Sequence, residues 1–240
     1  GVMALDYRGQ IGVATSVGHA PISALIDPVA GSRNSIAEAL TNLVFAPISD
    51  NLNGVSLSAN WMWPCRNEGE DARLYDAVKG ISDFAISLGI NVPTGKDSLS
   101  MTQKYKDGSK VVSPGTVIIS AIGECSNINQ VVSPVLKKKK NAPIIYINLS
   151  QDAYKLGGSS FAQIQNKVGS ETPTIQDSEF FKNGFNAIQK LIKSDIVEAG
   201  HDISAGGLIT TLLEMCFADV NLGADIDLTC LNEQDIVKVL

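Results

Sequence analysis

Apolar and polar residues alternate from Val2 to Thr15 on both sides of Tyr7-Arg8-Gly9-Gln10, a period of two interrupted by a turn, which predicts a β-hairpin. After Pro28 the period lengthens. Ile36, Ala37, Leu40, Leu43 and Val44 recur at helical spacing, and Pro47, which cannot continue a helix, ends the run. Val55 to Met62 reads as a strand. Asp71 to Leu88 reads as an amphipathic helix with Leu74, Val78, Ile81, Ala85 and Leu88 on one stripe. Thr94-Gly95-Lys96-Asp97-Ser98 reads as a glycine turn between two strand-like segments, and Thr116 to Gly123 as a buried strand. Trp61 and Trp63, at a strand end, are expected to cap a core or an interface. A sheet with helices packed on it, an α+β layer arrangement, accounts for these elements.

The pattern breaks at Ser126 to Asn141, where Asn, Gln and Pro lead into Lys137-Lys138-Lys139-Lys140. This is expected to be a solvated linker (residues 127–141) between domains at 1–126 and 142–240. Beyond it, Ala142 to Leu149 reads as a fresh strand, Leu156-Gly157-Gly158-Ser159 as a glycine turn and Phe180 to Ser194 as a helix. Ile196 to Gly200 reads as a short strand running into His201-Asp202, and Leu208 to Phe217 as a helix with Leu208, Leu212, Met215 and Cys216 inward.

Composition narrows the partners. The chain has 240 residues, 44% hydrophobic and 18% charged, with a net charge of −6, so it can fill real cores but has no basic excess for a phosphodiester backbone. A small ligand is expected, not nucleic acid. No apolar run approaches the roughly 20 residues that span a bilayer. Cys65, Cys125, Cys216 and Cys230 form no C-x-x-C pair and follow no charged-then-apolar leader, which points to reduced thiols in the cytoplasm, with neither disulfide nor zinc. The strand-like patterns at Gly1 and Leu240 suggest a piece of a longer polypeptide.

Two distant stretches carry the chemistry. In Glu38-Ala39-Leu40-Thr41-Asn42 a carboxylate and an amide oxygen stand one helical turn apart, on the same face. That is half of an oxygen-ligand site of the kind Mg²⁺ prefers, its shell completed by water and nucleotide phosphates. Asp202, on a strand-to-helix turn, could complete it, with Gly206 and Gly207 letting backbone approach a phosphate. Lys96 could hold a phosphate as a point charge beside Asp97. Each cluster also has a plainer reading: a solvated helix pair for Glu38 and Asn42, a helix cap for Asp202 and Ser204, a charged turn for Lys96 and Asp97.

Taken in order, residues 37–43 (AEALTNL), 57–62 (LSANWM), 69–78 (GEDARLYDAV), 93–101 (PTGKDSLSM) and 201–208 (HDISAGGL) resemble the phosphoribosylformylglycinamidine synthase family. The resemblance implies an ATP-dependent ligase of purine biosynthesis that converts formylglycinamide ribonucleotide to its amidine with ammonia from glutamine. The substrate amide oxygen would be phosphorylated to an iminophosphate, which ammonia displaces. It further implies two aminoimidazole-ribonucleotide-synthetase-like (PurM-like) units, each an α+β domain followed by an α/β-layered one, with this chain resembling most of the second and its C-terminal domain truncated. The first unit and a glutaminase domain would be partners in the same polypeptide.

Residue by residue, Glu38, Asn42 and Asp202 match Mg²⁺ ligands and Ser204 a contact to ATP or ADP. A further ligand, an Asp, would lie just before Gly1, while Ile203 and Ala205 stand where relatives often carry polar residues. Lys96, Asp97, Gly206 and Gly207 are supporting candidates, and no residue is assigned a catalytic role. The nucleotide of this unit is expected to be structural and the isolated segment inactive, self-associating through a face its partner copy would cover. Two rival readings are a non-catalytic nucleotide-binding scaffold and another enzyme of the fold group, such as aminoimidazole ribonucleotide synthetase, selenophosphate synthetase or thiamine-monophosphate kinase.

Overall fold

The computed structural model describes residues 1–138 and 143–239. Its first half is a five-stranded sheet with helices on one face. β1 (Val2–Ala4) and β2 (Gly12–His19) form the expected hairpin, antiparallel with Met3 opposite Val13. Two helices follow. α1 (Pro21–Ile26) is short, and α2 (Pro28–Leu43) starts where the Asp27 carboxylate accepts from the Val29 and Ala30 amides, with Pro28 in the first turn. β3 (Val55–Met62), α3 (Glu70–Leu88), β4 (Asn91–Ser98), a small hairpin of β5 (Thr102–Lys104) and β6 (Lys110–Val112), and β7 (Thr116–Cys125) complete it.

The sheet order is β1-β2-β7-β3-β4. β7 runs antiparallel to both β2 and β3, whereas β3 and β4 are parallel, so His19, Thr116, Met62 and Ser98 all stand at one end of the sheet. The inward row of Val55, Leu57 and Ala59 on β3 and Val117, Ile119 and Ala121 on β7 packs against Ile36, Leu40 and Leu43 of α2 and Ile81, Phe84 and Leu88 of α3. Trp63 is fully buried and tilts against Trp61 with ring centroids 6.4 Å apart, so the pair belongs to the core edge.

The second half is helical among its described residues: α4 (Ser160–Ile164), α5 (Ser178–Lys193), α6 (Gly207–Glu214) and α7 (Ile236–Val239). Ser159 caps α4, accepting from the Ala162 amide, which confirms the glycine turn before it. α5 carries Phe181 and Phe185 into the core of the first half, joined by Ile175 just ahead of the helix, with Phe181 edge-on to Phe84 at 5.9 Å.

Three local expectations are overturned. Residues 94–98 are not a turn but the end of β4, where Gly95 pairs so closely with β3 that a Cβ would strike the Ala59 carbonyl. β4 is an exposed edge, which is why it tolerates Pro93 and polar residues that imitate a loop. Residues 143–149 form no strand: 143–147 are all exposed, and no described segment pairs with them. Nor do residues 196–200. There Gly200 makes one backbone bond, to the Ser133 carbonyl at 3.2 Å, rather than joining a ladder.

The expected linker is also less free than its composition suggests. Val132 donates to the Phe45 carbonyl, Leu136 to that of Met215, and Lys138 pairs with Asp219 at 2.8 Å. Lys139, Lys140, Asn141, Ala142 and Leu240 lie outside the described residues.

Candidate functional site

Glu38 owes its place to Gly18. A Cβ at residue 18 would collide with the Ser35 carbonyl and the Ala39 amide, so only glycine lets α2 lie directly on β2 at this point. Ser16 Oγ donates to the Ala39 carbonyl at 2.6 Å and Asn42 Nδ2 to that of Val17 at 3.3 Å, fixing the helix in register and turning Glu38 and Asn42 the same way.

The opposing wall comes from the second half. His201 Nδ1 lies 2.7 Å from the Asp202 carbonyl and 3.4 Å from Asp202 Oδ1, while its Nε2 lies 3.2 Å from Glu214 Oε2 on α6. Thr211 Oγ1 donates to the same Asp202 carbonyl at 3.0 Å. His201 thus braces the turn. Across the junction, Ser204 Oγ donates to Glu38 Oε1 at 2.5 Å, a contact between residues 166 positions apart.

Burial pushes the Glu38 carboxyl above the ordinary glutamic acid value. The Ser204 hydrogen bond opposes this, the Asp202 charge adds to it, and His19 and Asn42 pull the other way. A half-buried carboxyl whose ionisation a second carboxylate makes costlier is a place a cation would relieve. Asn42 Nδ2 faces Val17, which leaves Oδ1 for a metal. Two carboxylates, an amide oxygen and a hydroxyl suit a hard divalent ion sharing its shell with phosphate and water. Among the described residues, no three or more His, Cys, Asp or Glu side chains gather closely enough to hold a metal alone, so an ion at this place would also need the Asn42 and Ser204 oxygens, water or phosphate.

Glu38, Asn42, Asp202 and Ser204 therefore meet. Lys96 and Asp97 stand apart. Register places His19, Ile118, Asn60 and Lys96 in one row across four strands, putting Lys96 about 14 Å from His19 at ordinary strand spacing, where it donates to Ser98 Oγ. Gly206 precedes α6, and Gly207 opens it with φ of +80°, a left-handed conformation that explains this glycine without a ligand. His19, whose charge reaches Glu38, was missed: no local spacing ties it to either stretch, and only the close packing at Gly18 would have revealed it. Two cavities open elsewhere, about 510 Å³ beside Tyr146 and Phe180 and about 450 Å³ beside Tyr154 and Phe161, and neither is lined by Glu38, Asn42 or Asp202.

Comparison with known proteins agrees with the two halves. Residues 1–124 match the FGAR-AT PurM_N-like domain, and residues 143–239 the C-terminal domain of AIR synthase related protein. A protein of Arabidopsis thaliana named probable phosphoribosylformylglycinamidine synthase, chloroplastic/mitochondrial, is 42% identical over 228 residues, 95% of this chain and 16% of that protein. The phosphoribosylformylglycinamidine synthase of Homo sapiens is 39% identical over 241 residues, 100% of this chain and 18% of that protein. The chain thus spans about a sixth of the length of these curated relatives. Among solved structures, Thermotoga maritima PurL complexed with FGAR superposes with a TM-score of 0.66 at 16% identity, over 90% of this chain and 32% of that one. The same protein complexed with ATP gives 0.57. At this identity the likeness establishes the fold: a PurM-like N-terminal domain followed by an AIR-synthase-type C-terminal one, mixed in helix and sheet. The chain belongs to the phosphoribosylformylglycinamidine synthase family.

Proposed function

We propose that this chain supplies a magnesium-nucleotide site to an ATP-dependent ligase of purine biosynthesis, one that converts formylglycinamide ribonucleotide, glutamine and ATP to formylglycinamidine ribonucleotide. The observation that carries the reading is the hydrogen bond of Ser204 to Glu38 across 166 positions, with Asp202 close enough to act on the same carboxyl. Glu38, Asn42 and Asp202 would hold the ion, which when bound neutralises phosphate charge. Ser204, just ahead of α6, would contact the nucleotide where free helix amides favour an anion. Lys96 and Asp97, remote from the carboxylates, would serve only a distant part of the ligand.

Domains at 1–126 and 142–240 joined by 127–141, cytoplasmic residence, and a first PurM-like unit and glutaminase as partners complete the reading. Four free cysteines are in keeping with a reducing compartment. The helix-free sheet face, with Val17 and Ile122 about half exposed, suits a second PurM-like unit or a second copy of this chain. Sedimentation of the chain alone is expected to show a dimer, and a monomer would reject self-association.

One observation favours a scaffolding role for this half. Ser204 already satisfies Glu38, so the contact joins the domains whether or not nucleotide turns over. The test is calorimetric titration of the complete protein with Mg²⁺ and ADP. Asp202→Asn is expected to weaken binding about tenfold or more, the scale of one lost charged ligand; unchanged affinity and stability would end the metal assignment. The chain alone is expected to form no amidine from substrate, ATP and ammonia, and measurable product would contradict the scaffold.

A further inference from the structure

The segment that follows the Glu38 helix is held by a side chain with no part in the site. Gln189 on α5 is wholly buried. Its Oε1 accepts from the Ile48 amide at 2.7 Å, and its Nε2 donates to the Val44 carbonyl at 2.6 Å and the Ala46 carbonyl at 2.9 Å. Both amide donors and the acceptor are thus spent on the backbone of 44–48, which otherwise meets the sheet only at its far end, where Ile48 bridges Cys125 and the Pro47 carbonyl accepts from the Ser126 amide at 2.9 Å. Asn186 and Lys193 lie on the same helix face and extend the hold: the Leu52 amide donates to Asn186 Oδ1 at 3.2 Å, and Lys193 Nζ donates to the Ile48 carbonyl and to Asn51 Oδ1 at 2.8 Å.

Segment 44–48 touches both walls of the site. Val44 is the C-cap of α2, so any shift of the segment is passed to the helix that bears Glu38. Phe45 lies against Gly200, so close that a Cβ at residue 200 would overlap its ring, and Gly200 stands two places before Asp202. The Phe45 carbonyl also accepts from Val132 at 2.9 Å, and the neighbouring Ser133 carbonyl accepts from Gly200 at 3.2 Å. If packing alone mattered here, an apolar side chain would fill the space as well. An amide adds what an apolar side chain cannot: three buried backbone groups, the Val44 and Ala46 carbonyls and the Ile48 amide, take their partners from it.

We propose that Gln189 is a positioning residue: by locking segment 44–48 between α5 and Gly200 it sets the separation of Glu38 from Asp202 and Ser204. The proposal rests on the reading of those three residues as one site.

The separation can be read without metal. In the complete protein, Glu38→Cys with Ser204→Cys is treated with a short bifunctional thiosulfonate, and the bridged peptides are quantified by mass spectrometry. Adding Gln189→Met is expected to slow bridging about tenfold, equivalent to about 1.4 kcal/mol of lost positioning. Ile119→Val, a core change in β7, is expected to lower Tm but leave bridging intact, which a merely stabilising Gln189 would not distinguish. Should Gln189→Met not fold, Gly200→Ala displaces Phe45 from the other side and is expected to slow bridging too. Unchanged bridging in a folded variant, or equal loss in Ile119→Val, overturns the proposal. Mn²⁺ binding without the added cysteines, read by electron paramagnetic resonance, is expected to weaken about tenfold in Gln189→Met. Slower bridging together with Mn²⁺ binding indifferent to Asp202→Asn would uphold the positioning and remove only the cation reading.

Discussion

Residues up to Cys125 and those beyond it contain comparable apolar runs, yet all seven described strands lie in the first region and none in the second. The run 117–121 of β7 is flanked by β2 and β3 and buries Val117, Ile119 and Ala121. The run 144–147, richer still in isoleucine, leaves Ile144, Ile145 and Ile147 between 42% and 73% exposed. A strand is a relation between segments, and an apolar pattern becomes one only where neighbours satisfy its backbone. α5 and α6 need no such neighbour, since helices satisfy their own backbone, and both form close to where their periodicity places them.

The comparison can be broken by mutation. Leu40→Ala, within the core under the sheet, is expected to cost about 2 to 5 kcal/mol by chemical denaturation; a loss under 1 kcal/mol would mean that the first region is not the stable one. Glu38→Gln, at the seam between the regions, acts more weakly and depends on pH. The Glu38 carboxyl is raised by burial, so the folded chain binds its proton more tightly than the unfolded chain does, and stability present at low pH falls as pH rises through the raised value. Glu38→Gln should therefore raise Tm at neutral pH without divalent ions, with the gain shrinking as pH falls through the carboxylate range. A gain constant with pH would contradict this. Ile145→Lys, in the exposed run, should change stability by no more than about 0.5 kcal/mol; a large loss would show that the run is packed after all.

The same contrast explains what could be read from sequence. α2, β3, α3 and β7 were legible because local periodicity and burial coincide there, and the β1–β2 hairpin because alternation flanks a turn, although β1 itself buries no residue. β4 was not, since an edge strand with Pro93 and Gly95 has the composition of a turn. Of the candidate site, Glu38 and Asn42 could be singled out from one-turn spacing, and Asp202 and Ser204 from their place before a helix. Their convergence depends on Gly18 and on the Phe45–Gly200 contact, and neither leaves a local pattern. The Gln189 hold was invisible for the same reason: a buried glutamine on an amphipathic helix is spelled like an exposed one.

The central claim is that Glu38 and Asp202, from different halves of the chain, act on one cation, and paramagnetic relaxation tests it most directly. Mn²⁺ added in small amounts with ADP to the ¹⁵N-labelled chain should broaden the amide resonances of residues 36–42 and 200–206 together, at the same ion concentration. Broadening of one group without the other, or of neither, would contradict the account.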